Sequence, residues 1–371
     1  MNEEIILKGR RDVQDLMNAP DEDCIVSGES ATSLLFQLSY AIGKELTGEG
    51  NIVTTEYEHY ANLSPWLELE RRGLVKEVRL ARFDPQSAQL DLSHFESLVD
   101  DNTKIISIAG VSNVLGSKSP LDQVLKVAKK TSAYTVLDAV HSVAHIPIDV
   151  QKTLFDFVVF SAYKLFTRRG SFLYGRKNLL SSLKPYKVLP SPEKAPLNWE
   201  MGTRDQSLFA SISAVIDYLE WLGSTVQEQF KEKIVAYPGR RRLLKAALSW
   251  IEEYEQALSL TMLQGTQGQG GLSSIDRVEV YGIIDPAKVN LRVPTFTFNV
   301  EGADPRKVAE YLWDKHAIAL LAENGGGFYS RTLKTYGKSI AIRASPVHFN
   351  TIQEIGEFLR ALKDCVKHFC T

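Results

Sequence analysis

The stretch that decides the fold is FVVFSAYKLFTRRGSFLYG, residues 157–175. The apolar run 157–160 predicts a buried strand, and residues 171–174 predict a second strand after a turn. Lys164 closely follows the first strand. Most lysines in such a place are solvated, but the carboxyl ends of strands in α/β sheets are also where ligands bind. A desolvated amine there can form a Schiff base. Other residues of the chain are therefore needed to distinguish a solvated lysine from one that binds a ligand.

Strands and helices alternate through the first half of the chain. The predicted strands are 23–26, 51–57, 75–80, 104–110, 133–139, 156–160 and 171–174, and the predicted helices are 3–17, 31–46, 63–72, 92–100 and 120–131. This alternation predicts the α/β class, with a mostly parallel sheet covered by helices. Two helical regions follow at 206–222 and 226–258, and the pattern over 277–371 is that of a small α+β domain.

Composition excludes several classes of function. The chain has 371 residues, a formal net charge of −2 and three cysteines. This charge balance does not favour nucleic acid, and no apolar run has the length of a membrane span. The cysteines form no cluster that would predict a metal site or a disulfide framework, and no signal-peptide pattern is present. We therefore expect a soluble cytoplasmic protein without a metal, a nucleic-acid partner or a membrane partner.

Polar residues follow five of the predicted strands. In chain order they are Ser30, His59, Asn113, Asp138 and Lys164. Taken singly, each has a structural interpretation as a helix cap, a turn residue or a satisfied surface group. Together they supply a phosphate cradle, a stacking ring, an amide donor, an anion for a protonated ring nitrogen and an amine. This set predicts a pyridoxal phosphate site.

Further stretches support this prediction by their order and spacing. They are EHYANLSPW (58–66), VSNVLGS (111–117), LDAVHSVAHIPIDV (137–150), FDFVVFSAYKLF (155–166), SFLYGRKNLL (171–180), WEMGTRDQ (199–206) and IRASPVHFNTIQEI (342–355). The chain thereby resembles the class V aminotransferase family of fold-type I pyridoxal phosphate enzymes, in its cysteine desulfurase-like branch. The resemblance implies a large cofactor-binding domain at 21–235 with a mostly parallel seven-stranded sheet, and a small α+β domain at 236–371. We expect the N-terminal helix, within residues 1–20, to pack with the small domain.

The resemblance also implies roles for individual residues around the cofactor. Lys164 would form the Schiff base, Asp138 would pair with the pyridine nitrogen, and His59 would stack on the ring; these three are the predicted catalytic residues. The other residues implied to bind the cofactor are Ser30, Ala31, Asn113, His141, Ser161, Tyr163 and Thr203.

Substrate and subunit contacts are implied in the same way. Arg343 would clamp the substrate carboxylate in a bidentate pair, with Asn113 and Tyr329 beside it. Thr203 would reach the phosphate bound by a partner subunit, which implies a homodimer. The matching stretch 320–333, LLAENGGGFYSRTL, contains no cysteine, whereas cysteine desulfurases of the family carry a nucleophilic cysteine on this loop.

The absence of a cysteine from the stretch 320–333 determines which reaction we expect. We expect a lyase or a side-chain elimination or replacement enzyme that acts on an L-amino acid at a C–S bond, Cβ or Cγ, and not a persulfide-forming desulfurase. A decarboxylase or C–C bond-forming enzyme, an epimerase or an aminotransferase of secondary metabolism are the alternatives. An alternative of another class is a non-catalytic binding protein with the same fold.

Overall fold

The computed structural model describes residues 2–324 and 330–370. Tyr329, predicted to contact the substrate, lies outside the described residues. The chain divides into two compact units. The larger unit takes the residues up to 81, 92–110 and 120–250, and the smaller unit takes 82–91, 111–119 and the residues from 251 onward.

Helices form a large share of both units. In chain order the described helices are α1 (Asn2–Leu16), α2 (Ala31–Gly43), α3 (Ser64–Arg71), α4 (Leu92–Leu98), α5 (Leu121–Ala128), α6 (Val150–Thr153), α7 (Lys177–Ser182), α8 (Gln206–Val226), α9 (Lys231–Ile234), α10 (Gly239–Gln264), α11 (Pro305–His316), α12 (Ser330–Thr335) and α13 (Ile352–Cys370). None of the described helices is both long enough and apolar enough to cross a membrane.

The strands form two main sheets and two small hairpins. In chain order they are β1 (Ile25–Gly28), β2 (Asn51–Thr55), β3 (Glu77–Ala81), β4 (Phe83–Asp84), β5 (Gln89–Leu90), β6 (Thr103–Ala109), β7 (Tyr134–Asp138), β8 (Phe157–Ser161), β9 (Ser171–Gly175), β10 (Gly265–Thr266), β11 (Gln269–Gly270), β12 (Val278–Tyr281), β13 (Phe296–Val300), β14 (Leu321–Asn324) and β15 (Ile340–Ala344). The hairpins are β4–β5 and β10–β11.

The larger unit contains a seven-stranded sheet in the order β1-β9-β8-β7-β6-β2-β3. Strands β8, β7, β6, β2 and β3 run parallel, and β9 is antiparallel to both β8 and β1. Every residue of β2 and β8 is buried, as expected for strands covered by helices on both faces. Trp66, Phe157 and Trp199 share the buried core of this unit. The predicted α/β class and mostly parallel seven-stranded sheet are confirmed.

The smaller unit contains an antiparallel four-stranded sheet in the order β12-β13-β15-β14. Phe298 on β13, Leu312 on α11 and Leu359 on α13 are buried in one core. Helix α11 continues to His316, and β14 follows at Leu321–Asn324 after the residues in which the chain turns.

The units differ from the predicted domains in three respects. The boundary between them falls at 250, inside α10, and not at 236, because the second half of this helix contributes Leu258 and Met262 to the core of the smaller unit. The larger unit lacks 82–91 and 111–119, which a boundary drawn along the sequence assigns to it. Finally, α1 belongs to the larger unit. It approaches α8 so closely that a Cβ on Gly9 would lie 2.7 Å from the carbonyl oxygen of Phe209.

Candidate active site

The pairing of the central strands brings the ends of several elements to one edge of the larger sheet. Asp138, the last residue of β7, pairs with Val159 of β8. Two residues further along β8, Ser161 pairs with Ser171 of β9, and Ser171 pairs with Gly28 at the end of β1. In an α/β sheet this edge is where ligands bind. The predicted residues at the ends of β1, β7 and β8 therefore share one edge of the sheet.

Asp138 is a buried carboxylate at this edge. Its side chain is 4% exposed, and Oδ1 accepts a hydrogen bond from the Val140 N–H over 2.9 Å. Burial raises the pKa of Asp138 to about 6, while the Val140 N–H and the charge of Lys164 act in the opposite direction. The carboxylate is therefore mostly ionised at pH 7. A buried anion of this kind fits the protonated pyridine nitrogen of pyridoxal phosphate.

Lys164 lies in a short 3-10 turn, Ala162–Leu165, directly after β8. Its side chain is half-buried, and its Nζ lies 5.3 Å from the centroid of the Tyr163 ring. The side chain of Tyr163 is 48% exposed. The amine is thus partly desolvated and electrostatically coupled to Asp138, which suits a lysine that binds an aldehyde cofactor.

His59 begins the 3-10 turn Tyr60–Asn62, which follows β2. Its Nδ1 accepts a hydrogen bond from the Ala61 N–H over 3.0 Å, so the orientation of the imidazole is fixed by the turn. In the neutral ring the proton then resides on Nε2. That His59 stacks on the cofactor ring stays a prediction.

Glu58 is a buried acid that the sequence analysis missed. Its Oε1 accepts hydrogen bonds from the Thr55 hydroxyl over 2.6 Å and from the Ala109 N–H over 3.0 Å. Its Oε2 accepts from the Asn62 side-chain amide over 2.7 Å. The Asn62 carbonyl oxygen accepts in turn from the Ser107 hydroxyl over 2.7 Å. The carboxyl group of Glu58 therefore connects β2, the His59 turn and β6.

The charge state of Glu58 depends on its surroundings. Burial and, to a smaller extent, the negative charge of Asp138 raise the pKa of Glu58 to about 7, while the three hydrogen bonds act in the opposite direction. In the sequence, Glu58 stands between a buried strand and His59. That position is the signal that could have marked it, because an acid so close to a buried strand end requires hydrogen-bond partners.

The phosphate-binding residues predicted near β1 and β8 are partly engaged with one another. The Ser30 hydroxyl caps α2 and accepts from the Ser33 N–H over 3.0 Å, while the Ser33 hydroxyl accepts from the Ser30 N–H over 3.1 Å. Ala31 is the first residue of α2 and is buried. The Ser161 hydroxyl, also buried, accepts from Ser171 over 3.3 Å. Hydroxyl groups and a helix N-terminus are a donor set that suits a phosphate.

The segment that carries Thr203 lies close to the end of β1. A small cavity of about 80 Å³ is lined by Gly28, Gly170 and the exposed Thr203, among others. Gly170 has a φ of +146°, and a Cβ at this position would lie 2.5 Å from the Leu208 side chain. Glycine is therefore required where the chain enters β9. The structure brings Thr203 near the end of β1 in its own chain, and its contact with the phosphate bound by a partner subunit stays a prediction.

Two predicted residues meet within the smaller unit. Arg343 lies in β15 between Thr297 of β13 and Leu321 of β14. Its Nη1 donates a hydrogen bond to the Asn113 carbonyl oxygen over 2.8 Å. The side chain is half-buried, and an arginine held in this way presents a planar donor surface that suits a carboxylate.

His141, predicted near the ring hydroxyl, follows β7 in the larger unit. Its imidazole lies 5.1 Å from that of His145, in an edge-on arrangement. Its predicted contact with the cofactor stays a prediction.

Comparisons with known proteins agree with this arrangement. The family model described as aminotransferase class-V matches residues 2–243. The chain is 27% identical to a probable cysteine desulfurase of Synechocystis sp., over 97% of this chain and 80% of that protein. It is 29% identical to probable cysteine desulfurase 2 of Mycobacterium leprae, over 96% of this chain and 80% of that protein. The apo structure of a cysteine desulfurase from Thermococcus onnurineus NA1 matches with a TM-score of 0.84 and 24% identity, over 99% of this chain and 85% of that chain.

The names of these relatives contradict our prediction, made from the sequence, of the reaction that the protein catalyses. Lyase or side-chain replacement chemistry without persulfide formation is wrong as a prediction, because the curated relatives that match nearly the whole chain are named cysteine desulfurases. Its alternatives, a decarboxylase, an epimerase, an aminotransferase of secondary metabolism and a non-catalytic binding protein, have no support among these relatives. The prediction relied on one side chain missing from one loop, whereas the similarity extends along 95–97% of the chain.

The resemblance itself is confirmed, and with it the enzyme class and the cofactor. The buried acid after β7 and the lysine after β8 are the groups that such a cofactor requires. Because the family match covers more than half of the sequence, the chain belongs to the class V aminotransferase family of pyridoxal-phosphate-dependent enzymes.

Proposed function

We propose that this protein is a cysteine desulfurase, which removes the sulfur atom of L-cysteine. The observation that carries the proposal is the position of Lys164 directly after β8, electrostatically coupled to the buried Asp138, in a chain whose curated relatives are named for this activity. The names of the relatives indicate cysteine as the substrate, and the side chains of Lys164 and Asp138 provide the amine and the anion that this chemistry needs.

The proposed reaction transfers the sulfur atom of L-cysteine to a thiol. The Cβ–S bond of L-cysteine breaks, the sulfur passes to a thiol, which becomes a persulfide, and Cβ gains a proton, so that the organic product is alanine. The bound cofactor supplies an electron sink that stabilises negative charge at the carbon atoms of the substrate.

The residues of the larger unit have distinct tasks in this proposal. Asp138 holds a negative charge toward the ring nitrogen of the cofactor and so favours its protonated form. Lys164 would hold the cofactor by its aldehyde group, and the amine of Lys164 is the group that would carry protons to and from Cα of the substrate. His59 covers one face of the ring and limits the access of water.

Further contacts are proposed from the resemblance. Arg343 binds the substrate carboxylate, which its planar guanidinium suits. Thr203 reaches the phosphate bound by the other subunit of a homodimer. We place the protein in the cytoplasm, because the spacing of its three cysteines does not predict a disulfide framework, which fits a reducing compartment.

The test is to supply the cofactor-loaded protein with L-cysteine and dithiothreitol, and to measure alanine and released sulfide together. We expect equal amounts of both products, and we expect Lys164→Ala to reduce their formation more than about a hundredfold. The matched control is Lys177→Ala, which removes an exposed lysine that pairs with Asp21 and Asp23 and should leave the rate unchanged. A loaded wild-type protein that forms no alanine from L-cysteine would contradict the proposal.

A further inference from the structure

Glu58 connects three elements around the cofactor site. Its carboxyl group takes one hydrogen bond from Thr55 at the end of β2, one from Asn62 in the His59 turn and one from Ala109 at the end of β6. The side chain is buried. Since hydrogen bonds to charged, buried groups are stronger than neutral ones, this group holds the three elements in a fixed relation.

The position of Glu58 also matters electrostatically. Ala109, whose N–H donates to Glu58, pairs with Asp138 across β6 and β7. The groups that contact Glu58 from β2, the turn and β6 are neutral, and the charged group facing it is Asp138 on β7, which in turn faces Lys164. Two carboxyl groups thus occupy neighbouring positions at the edge of the sheet.

We propose that Glu58 is a positioning residue of the cofactor site, which fixes the His59 turn and places a second, titratable carboxyl group behind Asp138. The inference rests on the predicted roles of His59 and Asp138 around the cofactor, and it does not depend on which substrate bond is cleaved.

The two carboxyl groups, Glu58 and Asp138, take up protons in a defined order as the pH falls. Like charges close together cannot both ionise easily. The positive charge of Lys164 lowers the pKa of Asp138, whereas the negative charge of Asp138 raises the pKa of Glu58. As the pH falls, Glu58 therefore takes up a proton first, and Asp138 keeps the charge that faces the ring nitrogen. Above pH 7 both groups are ionised, and the protonated ring nitrogen gains a second negative charge nearby.

The variant Glu58→Gln removes the charge while preserving the hydrogen bonds. The glutamine carbonyl oxygen can accept from Thr55 and Ala109, and its amide can donate to Asn62 after the Asn62 side chain flips, with the Ser107 hydroxyl turning to accept. The variant Glu58→Ala removes the connection as well as the charge. The matched control is Asp149→Asn, another buried carboxylate of the larger unit, which is bonded to Asn18 and Tyr237.

The experiment measures the Kd for pyridoxal phosphate at pH 6 and pH 8 in the full-length protein. For Glu58→Gln we expect a Kd about tenfold higher at pH 8 and little change at pH 6, where Glu58 is already protonated in the wild type. Glu58→Ala should weaken binding at both values, and Asp149→Asn at neither. An equal change at both pH values in Glu58→Gln, or no change at either, overturns the proposal.

A second measurement uses the protein without cofactor. Infrared difference spectra between pH 5 and pH 8 should contain a protonated carboxyl band that titrates near pH 7 and that is missing in Glu58→Gln. A band unaffected by this substitution overturns the assignment. The first measurement tests cofactor binding and the second tests the titration of Glu58, and neither depends on turnover. A protein that binds the cofactor but releases no sulfur would therefore refute the desulfurase proposal alone, while these two measurements still decide the role of Glu58.

Discussion

Arg10 and Glu200 form a buried, bidentate ion pair across 190 residues of sequence. The two guanidinium nitrogens of Arg10 donate to the two carboxylate oxygens of Glu200 over 2.9 and 3.0 Å. Glu200 Oε1 also accepts from the Ser27 N–H over 2.8 Å and from the Ser27 hydroxyl over 2.7 Å. The pair therefore joins α1 to β1 and to the segment that carries Thr203.

Breaking this pair from one side should destabilise the protein strongly. In Arg10→Met the buried Glu200 carboxylate loses both hydrogen bonds of the bidentate pair and keeps the longer contact with Arg204, whose Nη1 lies 3.9 Å from Oε2. We therefore expect a loss of about 3–5 kcal/mol in the free energy of unfolding. Urea denaturation measures it. The control is Arg11→Met, because Arg11 is 58% exposed and pairs with Glu22 at the surface, where about 0–1 kcal/mol is expected. Similar small losses in both variants would show that the buried pair contributes little.

Substitutions in the cap of α2 can distinguish the contribution of Ser30 to stability from its contribution to cofactor binding. Ser30→Ala and Ser33→Ala each remove one half of the reciprocal cap, and we expect each to cost about 1 kcal/mol of unfolding free energy. If Ser30 also holds the phosphate, only Ser30→Ala should raise the Kd for pyridoxal phosphate clearly beyond what the stability loss produces. Fluorescence titration with the cofactor checks this, and equal Kd values in the two variants would assign Ser30 to the cap alone.

Cys24 should not be the thiol that receives the sulfur. Burial raises the pKa of Cys24 to about 11, and only the thiolate is nucleophilic, so this thiol is protonated and shielded at neutral pH. Cys24→Ala should form alanine and sulfide from L-cysteine at the wild-type rate. Mass spectrometry of trapped persulfides provides the complementary measurement. Loss of sulfur transfer in this variant, with the fold intact by circular dichroism, would contradict the prediction.

The raised pKa of Glu58 also predicts how the stability of the cofactor-free protein depends on pH. The folded state binds the Glu58 proton more tightly than the unfolded chain does, so the free energy of unfolding decreases as the pH rises between about 4.5 and about 7. In Glu58→Gln this decrease should be smaller, by up to about 3 kcal/mol. Urea unfolding at pH 5 and pH 8 measures it, and parallel pH profiles for the two proteins would exclude the effect.

The sequence predicted those parts of the site that depend on local pattern. Asp138 and Lys164 each follow an apolar run, and the ends of neighbouring parallel strands meet at one edge, so their proximity could be inferred. Glu58 was missed because hydrogen bonds from Ala109 and Asn62 become visible only once β2 and β6 are adjacent. The Arg10–Glu200 pair was missed for the same reason, because nothing in either local sequence points to the other.

The reaction was the least predictable property. The stretch 320–333 contains no cysteine, but the composition of this one stretch does not determine the chemistry of the whole enzyme. Residues such as Lys164 and Asp138 are shared by many reactions of such cofactors, since the protein selects among bonds that the cofactor makes labile. Similarity along the whole chain carries information that no single motif contains.

The interleaved chain path has a consequence for how the protein is synthesised. Residues 82–91 and 111–119 belong to the smaller unit but leave the ribosome well before the rest of it. They bond to late residues: Lys118 pairs with Glu252 over 2.6 Å, and the Tyr336 hydroxyl donates to the Pro85 carbonyl oxygen over 3.0 Å. A nascent chain therefore carries these two segments without these late partners until its last third emerges, and a C-terminal fragment beginning at 251 would need both supplied as separate peptides to restore these contacts.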